Sequence, residues 1–291
     1  MDAIAYESVL VGLFSIFSGK AYISAKCGGN TTCNIDGAEI DADAWQGSEQ
    51  NALHLGFSRD SFYFSRPPPL VKDTPRTPFI PENEGPHCKG RLWCYGNVQS
   101  VAGGFVTNET HLRFYFSARS SNVWGNTTAY TGTATLRRDG FASMVAAERA
   151  SNLTTRLLRF TNFSDDDKLR DGLFVNVNAS TSGFRVWMLS ADGTVVLGAS
   201  KSLRAVDSTK LKVLWVDAPS SKRFSQLRLH AIQTGFRLRF ELLPQAHLYA
   251  FWLPVDKCGS SGGHVAAGGP PYASSRDLQC ASSTITNEMR I

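Results

Sequence analysis

The side chains best suited to chemistry lie mostly in the first half of the chain. Glu7 stands in Ala5-Tyr6-Glu7-Ser8, directly before the apolar run Val9–Phe17. A carboxyl set against a tyrosine and an apolar strand loses hydration, which raises its pKa and suits it to donate a proton. Acid–base chemistry takes a pair of carboxyl groups, one as acid and one as nucleophile or base. Glu7 is the candidate catalytic acid and Asp2 its candidate partner; the plainer reading of both is an exposed acid near a fraying terminus. Asn97 and Gln99, in Gly96-Asn97-Val98-Gln99-Ser100, carry amides that could bond ligand hydroxyls or cap a strand. Arg119, after Phe116-Ser117-Ala118, could join these amides at a binding site or face solvent. Trp93 and Trp124 sit in loops, where an indole stacks on the flat face of a ligand or plugs a small satellite core. Asp165-Asp166-Asp167 lacks the spacing of a calcium loop and reads as a solvated acidic turn. No nucleophile elbow, phosphate loop or metalloprotease motif is present, and the glycine-rich stretch 259–269 lacks the strand–helix context of a phosphate site. No cofactor is implied.

Composition narrows the class. The chain has 291 residues, 42% of them hydrophobic, which suits two domains with a packed core. The formal charge is +5, but it is scattered: Arg137-Arg138 and Lys222-Arg223 are pairs and not stripes, so no nucleic-acid face is expected. The Val9–Phe17 run is too short to span a bilayer as a helix. Six cysteines, Cys27, Cys33, Cys88, Cys94, Cys258 and Cys280, make an even count with two short spacings, as in disulfide-bonded secreted proteins. Fifteen pairings are open. Cys27–Cys33, Cys88–Cys94 and Cys258–Cys280 are favoured because each brackets a polar or glycine-rich loop. Zinc is the rival, but Cys-x5-Cys is an unusual zinc spacing and only His87 lies close to a cysteine. Six N-x-S/T sequons, at Asn30, Asn108, Asn126, Asn152, Asn162 and Asn178, point the same way, to a secreted glycoprotein. The start fits secretion less well. Asp2 and Glu7 precede the apolar run in place of Lys or Arg, so Met1 is expected not to be the natural start of the fold.

The periodicity that must position these residues is that of strands. In the first half, strands are expected at Val9–Phe17, Ala52–Ser58, Phe62–Ser65, Gln99–Thr107, His111–Ser117 and Thr131–Arg137. They are interrupted by a polar insertion between Gly19 and Gln50 and a proline-rich loop between Pro67 and Cys94. In the second half they are expected at Arg156–Phe160, Leu173–Asn178, Phe184–Ser190, Thr194–Ala199, Lys210–Val216, Phe236–Leu242 and His247–Leu253. Ala191-Asp192-Gly193 marks a hairpin turn. The best helical stretch, Phe141–Ala150, is short. The density of strands with short turns reads as a β-sandwich over residues 146–254, and residues 255–291 read as a Gly/Ser-rich tail.

Several segments resemble the glycosidase-like propeller proteins, the group around invertase-type glycoside hydrolases. They are YESVLVGLFSIF (6–17), LHLGFSRDSFYFSRP (53–67), GNVQSVAGG (96–104), LRFYFSAR (112–119) and TGTATLRRDGFASM (131–144). The likeness continues in LFVNVNAS (173–180), FRVWMLSADGTVVLG (184–198) and HLYAFW (247–252). The resemblance implies that residues 1–145 are part of a five-bladed propeller, followed by the sandwich. GFSRDSFYFSR would be an outer blade hairpin, with Asp60 capping its bend and Phe62 or Phe64 packing between sheets; Asp139-Gly140 would be the turn of a second copy. Only about two blades fit before residue 145, and a closed propeller needs at least four. The expected function is therefore a secreted glycosidase-like protein that acts on or binds glycan, its active site incomplete, with Glu7 as acid if the missing blades are supplied. The alternative is a non-catalytic carbohydrate-binding or extracellular structural module. Open blade faces lead to the expectation of either a protein partner that covers them or a rearranged first domain. If the compartment is oxidising, alkylation of the unreduced native protein will label none of the six cysteines; labelling of all six would contradict it.

Overall fold

The computed structural model describes residues 2–18, 21–22, 33–34, 50–67, 78–80, 98–100, 106–107, 110–119, 129–159, 172–216, 235–254, 259–261 and 263–265. Among these residues the chain is all-β, with no helix. It divides into two compact units. One comprises residues 1–107, 112–135 and 264–269, the other residues 108–111, 136–263 and 270–291.

In the first unit, β1 (Asp2–Glu7), β2 (Val9–Ser18), β5 (Gln50–Ser58) and β17 (His264–Val265) form an antiparallel sheet in the order β17-β1-β2-β5. The segment read as a tail thus supplies an edge strand. β3 (Ala21–Tyr22) pairs with β4 (Cys33–Asn34). A further sheet joins β6 (Val98–Ser100), β7 (Val106–Thr107), β8 (His111–Arg119) and β9 (Ala129–Arg137). β6 and β7 follow one another along β8, so the strand expected at Gln99–Thr107 is broken into two short pieces. In β8, Leu112, Phe114, Phe116 and Ala118 are buried while His111, Arg113 and Tyr115 are exposed, the period-2 alternation of a sheet with one covered face. Gly132 of β9 lies where a Cβ would come within 2.4 Å of the Phe116 ring, so a side chain there would displace a buried aromatic.

The turn after β5 is set by one carboxylate. The Asp60 Oδ1 accepts from the backbone N–H groups of Phe62 and Tyr63, both at 2.9 Å, and from the Ser58 hydroxyl. These bonds leave no ladder for the expected strand Phe62–Ser65; only Ser65 bridges back, to Phe57. Phe62 is 85% exposed, and it is Phe64 that lies against β2 and β5, its ring near Gly12 and its Cβ near Gly56.

The second unit holds β10 (Met144–Val145), β11 (Ser151–Thr154), β12 (Phe174–Ser190), β13 (Val196–Ala199), β14 (Leu203–Lys212), β15 (Phe236–Leu242) and β16 (His247–Trp252) in one sheet. The registers reduce these to four long antiparallel rows. β13 and β14 run in sequence along one edge of β12, from Leu189↔Val196 to Phe174↔Lys212. β15 and β16 run along the other edge, from Ser190↔Phe236 to Phe174↔Trp252. β11 and β10 extend that row outward, through Thr154↔Arg239 and Met144↔Leu248. Every row breaks at the same level: at 180–183 in β12, at Ala205 (φ 52°), at 243–246 with Gln245 at φ 65°, and at 146–150. The Leu243 N–H to Gly183 carbonyl and Gln245 N–H to Ala146 carbonyl bonds tie the breaks together. The sheet therefore curls on itself as a half-barrel around a core of Val175, Val177, Phe184, Val186, Met188, Phe236, Leu238 and Phe240. Each large apolar side chain buried there contributes about 2 kcal/mol.

The shared break explains the differences from the expected strands. Leu173–Asn178 and Phe184–Ser190 are one strand whose inward parity switches from odd (Val175, Val177, Ala179) to even (Phe184, Val186, Met188). The helical stretch Phe141–Ala150 is extended because Met144 and Val145 complete the outer row and Ala146 fills the bend. β11 precedes the strand expected at Arg156–Phe160, of which only the Leu158–Phe236 bridge forms, and β14 starts at Leu203 and not at Lys210. The Phe184–Ala199 hairpin forms as expected. Asp192 caps its turn by accepting from Ser190 and Thr194, which lowers its pKa to about 2.

A polar clamp holds the N-terminal half of β12. Asn176, fully buried, donates to the Arg138 carbonyl at 2.6 Å and accepts from the Arg137 Nε at 2.7 Å. Arg137 also donates to the Val177 carbonyl and pairs with Asp207, its guanidinium 5.0 Å from the Tyr249 ring centroid. Asn176→Ala strands the Arg138 carbonyl and the Arg137 Nε together and should destabilise the unit by about 2–3 kcal/mol. Urea unfolding should show this as a lowered midpoint at unchanged slope; an unchanged midpoint would mean the clamp is idle.

His54 in β5 is buried against Phe14, and the Arg66 guanidinium lies 2.9 Å from its Nδ1. Burial, then the Arg66 charge, hold its pKa below the ordinary histidine value. Folding thus favours the neutral ring. The stability gained is present above about pH 6.5 and is lost as pH falls through the lowered value. The urea midpoint should drop between about pH 7.5 and pH 5.5, and drop less in His54→Gln, which keeps an uncharged acceptor; equal drops would refute the assignment.

Candidate functional site

Strand pairing fixes what the two N-terminal carboxyls can do together. Asp2 pairs with Leu13 at one end of β1, while Glu7 occupies the other end, beyond the Tyr6↔Val9 pair, in the turn into β2. The rise of a strand puts their backbones about 17 Å apart. Carboxyls that cleave a glycosidic bond stand about 5–9.5 Å apart, so these two do not flank one bond. Glu7 also adopts φ 53°, a left-handed turn conformation that glycine takes more readily. The described carboxyls with shifted pKa values, Asp60 and Asp192, are both lowered by hydrogen bonds, the direction opposite to that of a general acid. No group of three or more His, Cys, Asp or Glu is assembled to hold a metal among the described residues. Nor, among them, is any helix long and apolar enough to cross a membrane.

Of the candidate binding residues, Gln99 lies on β6 opposite Ser117 of β8, and it is exposed. Arg119 is the last residue of β8. Asn97, Trp93 and Trp124 lie outside the described residues, as do Asp165-Asp166-Asp167 and His87. So do Cys27, Cys88, Cys94, Cys258 and Cys280, and Cys33 is described only as a β4 residue. Among the sequons, Asn30, Asn108, Asn126 and Asn162 lie outside. Asn152 is exposed on β11, and the Asn178 amide oxygen accepts from Ser180 N–H and Oγ.

The strands around Gln99 build a face that the sequence reading did not single out. Strand alternation sets Ser117, Tyr115 and Arg113 on the uncovered side of β8, and Gln99 joins them through its pairing with Ser117. Tyr115 is 41% exposed. On β9, Gly132 meets the buried Phe116, so Thr131, Thr133 and Thr135 take the opposite, exposed side. The result is an aromatic ring among hydroxyl, amide and guanidinium groups on a sheet face. It can stack on an apolar ring face and exchange hydrogen bonds around it. The signal was present in the sequence as Thr131-Gly132-Thr133-Ala134-Thr135 beside the alternating Arg113-Phe114-Tyr115-Phe116-Ser117.

The second unit presents another polar face. Trp187 of β12 pairs with Arg239 of β15, and the guanidiniums of Arg185 and Arg239 lie 4.2 Å and 5.1 Å from its ring centroid. Glu241 stands opposite Arg185. Arg237, on the same face of β15, donates its Nε to the Ala191 carbonyl and its Nη1 to the Thr155 carbonyl.

No protein-family model, no curated protein and no solved structure matches the chain.

Proposed function

We propose that the protein is an extracellular glycan-binding module, derived from a glycosidase-like propeller and sandwich, that holds carbohydrate without hydrolysing it. The observation that carries this reading is the open sheet face with Tyr115 set among Gln99, Arg113, Ser117 and the Thr131, Thr133 and Thr135 row. Sugars offer apolar ring faces edged by hydroxyls, and this set of groups matches both features. The separation of Asp2 from Glu7 favours binding over cleavage.

The propeller-and-sandwich reading has support of its own kind. The β17-β1-β2-β5 sheet is a four-stranded antiparallel array, as a blade is, and the folded four-row sheet of the second unit encloses a core between its halves, as a sandwich does. The cysteine count and the sequons support secretion and glycosylation.

A glycan array probed with the whole chain should give binding to a restricted set of oligosaccharides. Tyr115→Ala, an exposed position whose loss leaves the core intact, should weaken that binding by at least about tenfold, the loss expected when one stacked ring is removed. Absence of any binding, or binding unaffected by Tyr115→Ala, would refute the proposal.

A further inference from the structure

The two arginine clusters of the second unit differ in how their donors are used. Arg137 directs its Nε and both terminal nitrogens to internal acceptors, on Asn176, Val177 and Asp207, and so acts as a structural clamp. Arg239 does the opposite. Its guanidinium lies over Trp187, its Nε is buried without a hydrogen-bond partner, and no hydrogen bond among the described residues uses an Arg239 donor. Stacking engages the flat face of a guanidinium and leaves its in-plane terminal N–H groups free to meet an acceptor. It also restricts the side chain before any ligand arrives, which lowers the entropy lost on binding. Arg185 stacks on the same ring while its Nε donates to the Ser200 carbonyl at 3.0 Å, which fixes that guanidinium too.

From this geometry we infer a second binding site, for the oxyanion of an acidic glycan, centred on Arg239 with Trp187 and Arg185 as its supports. A sulfate ester or a uronate carboxylate offers the paired oxygens that a guanidinium edge binds through two parallel hydrogen bonds. A nucleic acid fits less well. Only two cations lie against the Trp187 ring, Arg237 beside them spends its Nε and Nη1 on backbone carbonyls, Glu241 stands opposite Arg185, and guanidiniums already occupy the ring where a base would stack. The inference rests on the glycan reading for the source of the anion, but it concerns different residues in the other unit.

The test is binding of the whole chain to heparin (sulfated), polygalacturonate (carboxylate only), dextran (neutral) and a double-stranded DNA, by calorimetry at fixed salt. Binding is expected to heparin, to polygalacturonate or to both, and the pattern tells which anion is preferred. Arg239→Gln, which keeps the length of the side chain and removes its charge, should weaken it by at least about tenfold. Trp187→Phe, which keeps a ring but a weaker one for cations, should weaken it less, and Tyr115→Ala should leave it unchanged. Thermal unfolding of each variant checks that it folds; if Arg239→Gln fails to fold, Arg239→Lys takes its place, since a point charge that cannot bind bidentately should still lose affinity. The inference is overturned if neither acidic polymer binds, if the substitution at Arg239 changes affinity less than about twofold, or if DNA binds as tightly as heparin. Loss of neutral-glycan binding in Tyr115→Ala with retained heparin binding would separate the two sites.

Discussion

A break shared by four strand rows is the constraint from which the second unit takes its form. If one row bent and its neighbour ran straight, the ladder would part and leave buried N–H and C=O groups unsatisfied. All four rows therefore bend together, each by its own device. Residues 180–183 form a bulge in β12, Ala205 and Gln245 take positive φ, and Ala146 and Ala246 are small enough to be buried where the rows converge. The Leu243-to-Gly183 and Gln245-to-Ala146 bonds pin the bends to one another. The same switch moves the inward parity of β12 by one residue, which lets both halves of a long strand face one core.

The clamp on Asn176 belongs to the same scheme. A buried amide in mid-strand is tolerated only when its groups are satisfied, and Arg137 at the end of β9 with Arg138 and Asp139 of the following turn satisfy them. The turn thereby closes over β12 and joins Asp207 and Tyr249 on the flanking rows to it. Arg137 is committed to this role, whereas the Arg239 guanidinium is oriented by the Trp187 ring and not by hydrogen bonds among the described residues. This contrast separates the Arg239–Trp187 pair from the other arginines around it.

Much of this was legible in the sequence. Period-2 patterns located β2, β5, β8, β9, β15 and β16 to within about two residues, and Asp60, Asp139 and Ala191-Asp192-Gly193 marked true turns. What was not legible depends on register. Nothing local in Phe141–Ala150 distinguishes an extended outer row from a short helix, because its conformation is set by pairing with residues about a hundred positions away. Phe62 and Phe64 share one strand parity, and only the fold shows that Phe64 meets Gly12 and Gly56 while Phe62 is exposed. For the site, a search for acids and amides found Gln99 but passed over Tyr115 and the threonines. Their value arises from lying on one face across three strands, a property of the sheet and not of any single segment.

The central claim is that carbohydrate is held and not cleaved. Its most direct test is to incubate the protein with an oligosaccharide that it binds, for many times the residence time of the complex, and then count new reducing ends. The account predicts that the oligosaccharide is recovered intact. New reducing ends that appear in proportion to protein, and disappear in Glu7→Gln, would contradict it and restore Glu7 as a catalytic acid.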